Sequence, residues 1–352
     1  MPIDKKSRLM LFPRIGKFII LFFAVAFIIV GIRAYQLYQY VFRENIKTDY
    51  VLYIPYNSTY EDVTASLTSN DVLASLKAFN WIAKKKSYKS AIKPGRYALI
   101  KGMNTNEVVN ILRAGLQTPL NVTFNNVRVK EQLAGKVSQY ILADSISILK
   151  LFSDENQIKK FGFTPETYST MFIPDTYEFY WTTSAEEFAN RMKTEYDSFW
   201  NDERRKKAEE INLSPVEVSV LASIVQAETA KNEELKRVAG LYINRLKRGI
   251  FLQADPTVKY AVGDFSLKRI LNVHLETDSP YNTYKYAGLP PGPINFPETS
   301  AIDAVLNYEK HKYLFMCAKE DFSGYHNFAT TLSEHNRNAA RYRAALDRNK
   351  IR

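Results

Sequence analysis

The sequence predicts an α+β protein with a single N-terminal transmembrane helix, a small α+β module, and a larger mixed α+β domain. Three observations predict it. An uninterrupted apolar run from Phe18 to Ile32 follows a basic stretch and is closed by Arg33. Short strand patterns and capped helix starts then alternate through residues 45–118. Beyond residue 200, apolar helices with clear start signals lead into loops rich in proline, glycine and tyrosine. At 352 residues the chain is long enough for two domains, each able to bury a core. A hydrophobic content of 46% and a charged content of 24% mark the bulk as globular.

The apolar run comes first. Its fifteen residues span about 22 Å as a helix, short of the roughly 30 Å hydrocarbon core. Ile15 and Gly16 on one side, and Ala34, Tyr35 and Leu37 on the other, extend it. Lys17 and Arg33 snorkel outward, and Tyr35, Tyr38, Tyr40 and Phe42 suit an interfacial belt. A cleaved signal peptide is the competing reading. The only Ala-x-Ala, Ala24-Val25-Ala26, lies inside the run, and no small-x-small site follows it. A retained anchor over 18–38 is therefore preferred. Residues 1–17 form a basic cytoplasmic tail, and the chain from about 36 onward lies outside a plasma (inner) membrane. That placement removes ATP, NAD and most cytoplasmic substrates, and brings in the cell wall.

The net charge is +11. It favours an anionic partner in general, but no zinc-ligand cluster, RNP-type motif or basic-region heptad accompanies it, so nucleic acid is not an expected partner. Lys84-Lys85-Lys86 and Arg204-Arg205-Lys206-Lys207 read as solvated surface. The single cysteine, Cys317, cannot form an intrachain disulfide and reads as a small buried hydrophobe. The four histidines are far apart and show no HExxH or Cys/His pairing. Neither a metal nor a cofactor is expected.

In the module at 45–118, Asp49 to Pro55 reads as a strand and Ser58-Thr59-Tyr60-Glu61-Asp62 as a helix start. A second helix covers Leu73 to Lys84. Lys93-Pro94-Gly95 turns into a strand ending at Ile100, and Thr105-Asn106-Glu107 starts a helix that ends near Gly115. The order strand, helix, helix, strand resembles the wall-binding LysM-like module that precedes certain cell-wall enzymes; a generic spacer domain fits the same order. Residues 119–200 form a connecting part of the catalytic region: a strand over Pro119 to Phe124, a helix over Arg128 to Leu142, then short helices and loops. The aromatics of Met171 to Tyr180 read as core.

The core region, 201–352, carries the chemistry. Ser214-Pro215-Val216-Glu217 is a helix start with serine at N-cap, proline at N1 and glutamate at N3. At helical spacing Leu221, Ile224 and Val225 share a face with Glu228. A carboxylate on an inward face loses water, and its pKa rises toward the range of a general acid. A half-exposed glutamate, or one paired with a nearby cation, is the plainer alternative. A helix over Glu233 to Arg248 follows, with Leu235, Val238, Tyr242 and Leu246 as its apolar stripe and Gly249 at its end. Asp255-Pro256 reads as N-cap and N1 of the next helix. The loops Ser279 to Tyr284 and Gly288 to Ile294 offer tyrosine faces and amides for sugar rings and N-acetyl groups, although turn chemistry alone also explains their prolines and glycines.

Several of these segments together resemble the endolytic murein transglycosylases of the YceG-like family. They are Pro174-Asp175-Thr176-Tyr177, Ala222 to Thr229, Tyr242 to Leu246, Leu252 to Val258, Tyr281 to Tyr284 and Gly288 to Ile294, in that order over roughly 45–335. The resemblance implies a single-pass membrane protein acting on peptidoglycan glycan strands, with peptidoglycan synthases as possible partners. By motif the catalytic glutamate is Glu228. Position 226, often acidic in relatives, is Gln here, which leaves Glu228 the only acid between 218 and 232. The resemblance implies that Glu228 acts alone as acid and then base, without a second carboxylate. Asn244, Gln253, Asp255, Tyr281, Asn282 and Thr283 are the expected substrate-binding residues. Two other functions stay open: a hydrolytic muramidase with Asp255, Glu276 or Asp278 as second carboxylate, and a non-catalytic, membrane-tethered wall-binding protein.

Overall fold

The computed structural model describes residues 6–267 and 269–349. The chain divides into two compact units. One runs up to Pro119 and takes in Tyr180–Thr182; the other comprises Leu120–Phe179 and the chain from Thr183 onward.

The first unit begins with helix α1, Lys6–Phe42. Its segment Gly16–Phe42 is apolar enough and, at 27 residues, long enough to cross a membrane. The helix runs on through the expected anchor, so Tyr35, Tyr38, Tyr40 and Phe42 ride on the same rod. Its apolar side chains are exposed on every side, from Phe18 at 71% to Phe27 at 80%. Such a surface is unstable in water unless something apolar covers it.

The rest of this unit is β1 (Tyr50–Ile54), α2 (Tyr60–Ser69), α3 (Leu76–Lys85), β2 (Gly95–Leu99) and α4 (Thr105–Ala114). The two strands pair antiparallel with Leu52 opposite Tyr97. Leu52 and Ile54 point inward with Tyr97 and Leu99, while Tyr53 between them faces out, the period-two pattern of a one-sided sheet. The buried faces of α3 and α4 close this core through Phe79, Ile82, Val108 and Leu112. Capping boxes set the starts of α2 (Thr59, Asp62) and α4 (Asn104, Glu107). Gly115, at φ +73°, ends α4 in the left-handed conformation that glycine adopts without strain.

In the second unit β3 (Leu120–Phe124) is followed by α5 (Lys130–Val137), α6 (Ser145–Lys150) and α7 (Glu155–Lys160). Helix α5 is shorter than the expected Arg128 to Leu142. Asp144 caps the next helix by accepting from the Ser147 N–H, so the chain must leave α geometry beforehand, and Tyr140 and Leu142 end up exposed. Strand β4 (Asp175–Phe179) falls where only helices and loops were expected and pairs antiparallel with β3. Helix α8 (Ala185–Phe199) has fifteen residues and its own capping box, Ser184 and Glu187. The charged stretch forms a separate helix, α9 (Asp202–Glu210), broken from the next by Asn212 at φ +56°. Its Arg204 is not simply solvated: the Nε–H donates to Asp303 at 3.1 Å.

Then come α10 (Pro215–Glu228), α11 (Leu235–Lys247), α12 (Asp255–Val262), α13 (Asn272–Leu275), α14 (Thr299–Leu306), the hairpin β5 (Phe315–Ala318) and β6 (His326–Ala329), and α15 (Leu332–Arg348). Helix α10 is the centre of this unit, packed by α11, α12 and α14. Every residue from Val218 to Val225 is buried, including Ser219 and Ser223. The single apolar face expected for α10 is thus absent; the helix is enclosed all round. Ser223 fits because its hydroxyl donates to Val220 O and accepts from the Ile294 N–H at 3.0 Å.

Candidate active site

Glu228 is the last residue of α10, where that enclosed helix emerges. After the buried stretch its surface opens again: Gln226 and Glu228 are half-buried and Ala227 is exposed. The carboxylate accepts a hydrogen bond from the Tyr242 hydroxyl at 2.7 Å, and Tyr242 is itself 2% exposed on α11. Burial dominates the electrostatics and pushes the Glu228 carboxyl up from 4.5 to about 7. The Tyr242 hydrogen bond pulls the other way, the charge of Asp255 adds to the rise, and Lys259 offsets part of it. Glu228 therefore keeps its proton well above the ordinary carboxylate range, up to about 7, while its edge faces open space.

That space is a cleft of about 440 Å³ whose lining includes Glu228, Tyr242, Gln253, Asp255, Tyr284 and His326. A second hollow, of about 460 Å³, begins at Ala227 and Thr229 on either side of Glu228 in the chain and reaches Lys259, Arg128 and Asn295. A third, of about 380 Å³, shares Arg128 and Asn295 and carries Tyr260 and Tyr281. The second and third hollows thus adjoin at Arg128 and Asn295. The second and the Glu228 cleft are lined by neighbouring residues of the α10 exit, and all three lie within the second unit.

The expected site residues separate into three groups. Glu228, Gln253 and Asp255 share the first cleft. Tyr281 lines the third hollow, its ring 4.6 Å from that of Tyr260. Asn244, Asn282 and Thr283 are not brought to the cleft. Asn244 donates its amide to the carbonyls of His311 and Tyr313 at 2.8 and 3.1 Å, which pins α11 to that loop. Asn282 is fully buried and donates to Leu275 O and Thr277 O at 2.9 and 2.8 Å. Thr283 accepts from the Ala254 N–H at 3.0 Å and meets the Thr257 hydroxyl at 2.8 Å. Thr283 thus braces the loop that presents Gln253 and Asp255, Asn282 ties down its own turn, and Asn244 holds α11, each with its side chain engaged by protein groups.

Asp255 departs from its capping role. Ala254 is the N-cap of α12, and no side-chain cap bond forms there. The Asp255 carboxylate instead accepts from the Tyr284 hydroxyl at 2.6 Å. Of the three candidates for a second carboxylate, Asp255 alone stands in the Glu228 cleft. Glu276 and Asp278 are exposed and lie outside it; Asp278 accepts from Tyr286 at 2.7 Å. Cys317 is half-buried in the cleft wall rather than fully buried, and burial pushes its thiol up.

Sequence reasoning missed the residues that hold the cleft. Tyr242 read as one more apolar position on α11. Arg245 is 6% exposed and donates to Phe251 O, Leu314 O and Gln253 Oε1 at 2.9, 2.9 and 2.5 Å. It locks Gln253, whose φ of +50° would otherwise be costly. An arginine inside an apolar helix is a readable signal, because a buried guanidinium needs several acceptors. Gln226 also has a purpose: its carbonyl oxygen accepts from the Glu298 N–H at 2.7 Å, at the start of α14.

A glutamate whose carboxyl is raised to about 7 at the exit of a buried helix, facing an open cleft, defines an acid-glutamate cleft protein of the α+β class. The chain belongs to the YceG-like family, whose model matches residues 52–341. It is 31% identical over 316 residues to a protein of Bacillus subtilis named endolytic murein transglycosylase, covering 84% of this chain and 85% of that one. It is 27% identical to a Streptococcus pneumoniae protein of the same name over 93% of this chain, and spans 65% of that longer protein. The 2.6 Å crystal structure of a yceG-like protein from Listeria monocytogenes matches with a TM-score of 0.54 and 29% identity, over 82% of this chain and 98% of that one.

Proposed function

We propose that this protein is a lytic transglycosylase that cleaves MurNAc-β-1,4-GlcNAc bonds within nascent peptidoglycan strands, with Glu228 as both acid and base. The observation that carries this reading is Glu228 itself, a carboxyl pushed to about 7 yet open to a cleft. A general acid must hold a proton at working pH and reach the leaving group, and this environment supplies both conditions. In the first step the Glu228 proton passes to the glycosidic oxygen as the MurNAc C1–O bond breaks. In the second, the Glu228 carboxylate takes the proton of the muramic C6 hydroxyl as that oxygen bonds to C1. The products are a GlcNAc end and a 1,6-anhydro-MurNAc end, with no water consumed and Glu228 reprotonated.

A further hollow lined by residues next to Glu228 in the chain suits a polymer that extends beyond the broken bond. The names of the bacterial relatives support peptidoglycan as that polymer. The length and apolarity of Gly16–Phe42 support a single-pass anchor, with the amino terminus cytoplasmic and the second unit outside. The strand–helix–helix–strand order of the first unit supports a LysM-like, wall-binding role. Cleavage within growing strands would terminate their elongation and bring the enzyme near peptidoglycan synthases.

A hydrolytic muramidase is the second reading, favoured by the presence of Asp255 in the Glu228 cleft. In that case Asp255 would direct a water to C1. One experiment tests both. Full-length wild type and Glu228→Gln are incubated with uncrosslinked glycan strands and the products are read by mass spectrometry. Anhydro ends from wild type and none from the variant are expected. Reducing ends would replace the lyase by the hydrolase, and unchanged release by Glu228→Gln would remove Glu228 from the chemistry.

A further inference from the structure

One wall of the Glu228 cleft is the β5–β6 hairpin, and it carries His326. This ring is not free to turn. Its Nδ1 lies 2.8 Å from Oε2 of Glu234, and its backbone N–H donates to Oε1 of the same carboxylate at 2.9 Å. Glu234 is 4% exposed. The Thr229 hydroxyl, one residue past Glu228, donates to Glu234 Oε2 at 3.4 Å. A single buried carboxylate therefore joins the exit of α10, the start of α11 and the first residue of β6.

The chemistry of that contact fixes the ring. A carboxylate only accepts, so the imidazole proton sits on Nδ1 and the lone pair of the neutral ring sits on Nε2. Nε2 makes no hydrogen bond to any described residue, and the side chain stays 15% exposed, in the cleft. A ring nitrogen at a cleft is left to water or to a ligand. Here the buried half is satisfied and the open half is oriented, which is how side chains that meet ligands are held.

We propose that His326 is a substrate-contacting residue whose Nε2 accepts a hydrogen bond from a hydroxyl of the sugar bound beside Glu228, with Glu234 as its positioning residue. The proposal rests on the glycan reading of the cleft. Glu234 does not reach the substrate; it sets which nitrogen faces it. An acceptor fixed in this way selects a donor, and sugar hydroxyls are donors.

The test uses the full chain in detergent, with Glu228→Gln to prevent turnover, and uncrosslinked glycan strands as the probe. Adding His326→Ala should weaken binding about tenfold, the worth of one good hydrogen bond. Adding Glu234→Gln should weaken it several-fold with the fold intact. The new amide keeps its oxygen on the His326 backbone N–H and turns its NH₂ toward Nδ1 and the Thr229 hydroxyl, so Nδ1 becomes the acceptor and the imidazole proton moves to Nε2. Nitrogen NMR of labelled histidine reads that tautomer directly, and a merely structural role would not couple it to affinity. Unchanged affinity in both variants overturns the proposal. A loss in His326→Ala alone keeps the contact and removes Glu234 as its positioner. If the Glu228→Gln chain itself fails to bind the strands, the glycan reading of the cleft falls, and this proposal with it.

Discussion

Replacing Glu228 by Gln should stabilise the protein at alkaline pH and leave its stability unchanged in acid. The folded chain holds the Glu228 proton up to about 7, whereas an unfolded chain releases it near 4.5. The folded state therefore binds more protons between those values, and wild-type stability falls as pH rises through that window. Moving a carboxyl from 4.5 to about 7 corresponds to about 3 kcal/mol. The open edge of the half-buried side chain is screened by solvent, so about 2 kcal/mol is the expected difference at pH 8. Gln is isosteric and its carbonyl oxygen keeps the Tyr242 hydrogen bond, so no cavity offsets the gain. The assay is urea unfolding of the full chain in detergent at pH 4 and pH 8. It is followed at Trp200, the buried tryptophan of the second unit, in a background where Trp81 and Trp181 are Phe. A difference between Glu228 and Gln that is the same at both pH values would refute the electrostatic account of this site.

The same account predicts that glycan cleavage falls above about pH 7, and that two neighbours move this limb in opposite directions. Tyr242→Phe removes a hydrogen bond that favours the carboxylate, so the limb moves to higher pH; Asp255→Asn removes a like charge, so it moves lower. A pH–rate series in which both variants shift the same way would contradict the assigned causes. Ser223→Ala strips the acceptor from the buried Ile294 N–H and should cost about 1–3 kcal/mol in urea unfolding; an unchanged midpoint would mean another acceptor is within reach. Gly240→Ala should cost about 3 kcal/mol, read as a lowered melting temperature. Its new Cβ would lie 2.3 Å from the Glu309 carbonyl oxygen and 2.7 Å from His311 Nε2, where α11 touches the loop after α14. A wild-type melt would show that this loop yields easily.

How much could be read from the sequence depended on whether the determining contacts were local. Helix starts were legible because a capping box is four consecutive residues, and Ser214 with Glu217 forms the expected one. Strand β4 was not legible. Its partner β3 lies more than 50 positions earlier, and Asp175 to Phe179 shows no inward–outward alternation of its own beyond Tyr177 and Phe179. Glu228 was legible as an unusual acid, but for an incomplete reason. The three apolar residues chosen as its face belong to a helix buried on every side, so periodicity could not place the carboxylate. The protein contacts of Asn244, Asn282 and Thr283 were out of reach on the same ground. Amides and hydroxyls suit sugars and backbone carbonyls equally well, and only the three-dimensional contacts decide between them. His326 and Glu234 lie 92 positions apart, so no local pattern could pair them.

The position of Glu228 along its helix adds one more physical consequence. A helix C-terminus carries partial negative charge from its unpaired carbonyls, and stable helices place cations there. Helix α10 has no basic residue in its last turn and ends on a carboxylate. Burial, the charge of Asp255 and the helix end all disfavour the ionised form, and against them stand one tyrosine hydroxyl and Lys259. A local rule is broken here without local compensation, which proteins tolerate where function requires it. The enclosed stretch from Val218 to Val225 supplies the packing that makes the violation affordable, because a helix exposed on one side would fray and let water reach the carboxylate. The apolar enclosure of α10 and the acidity of Glu228 are thus one device. Polar substitution of Ile224 or Val225, one turn from Glu228, should lower its pKa even though neither residue touches the cleft.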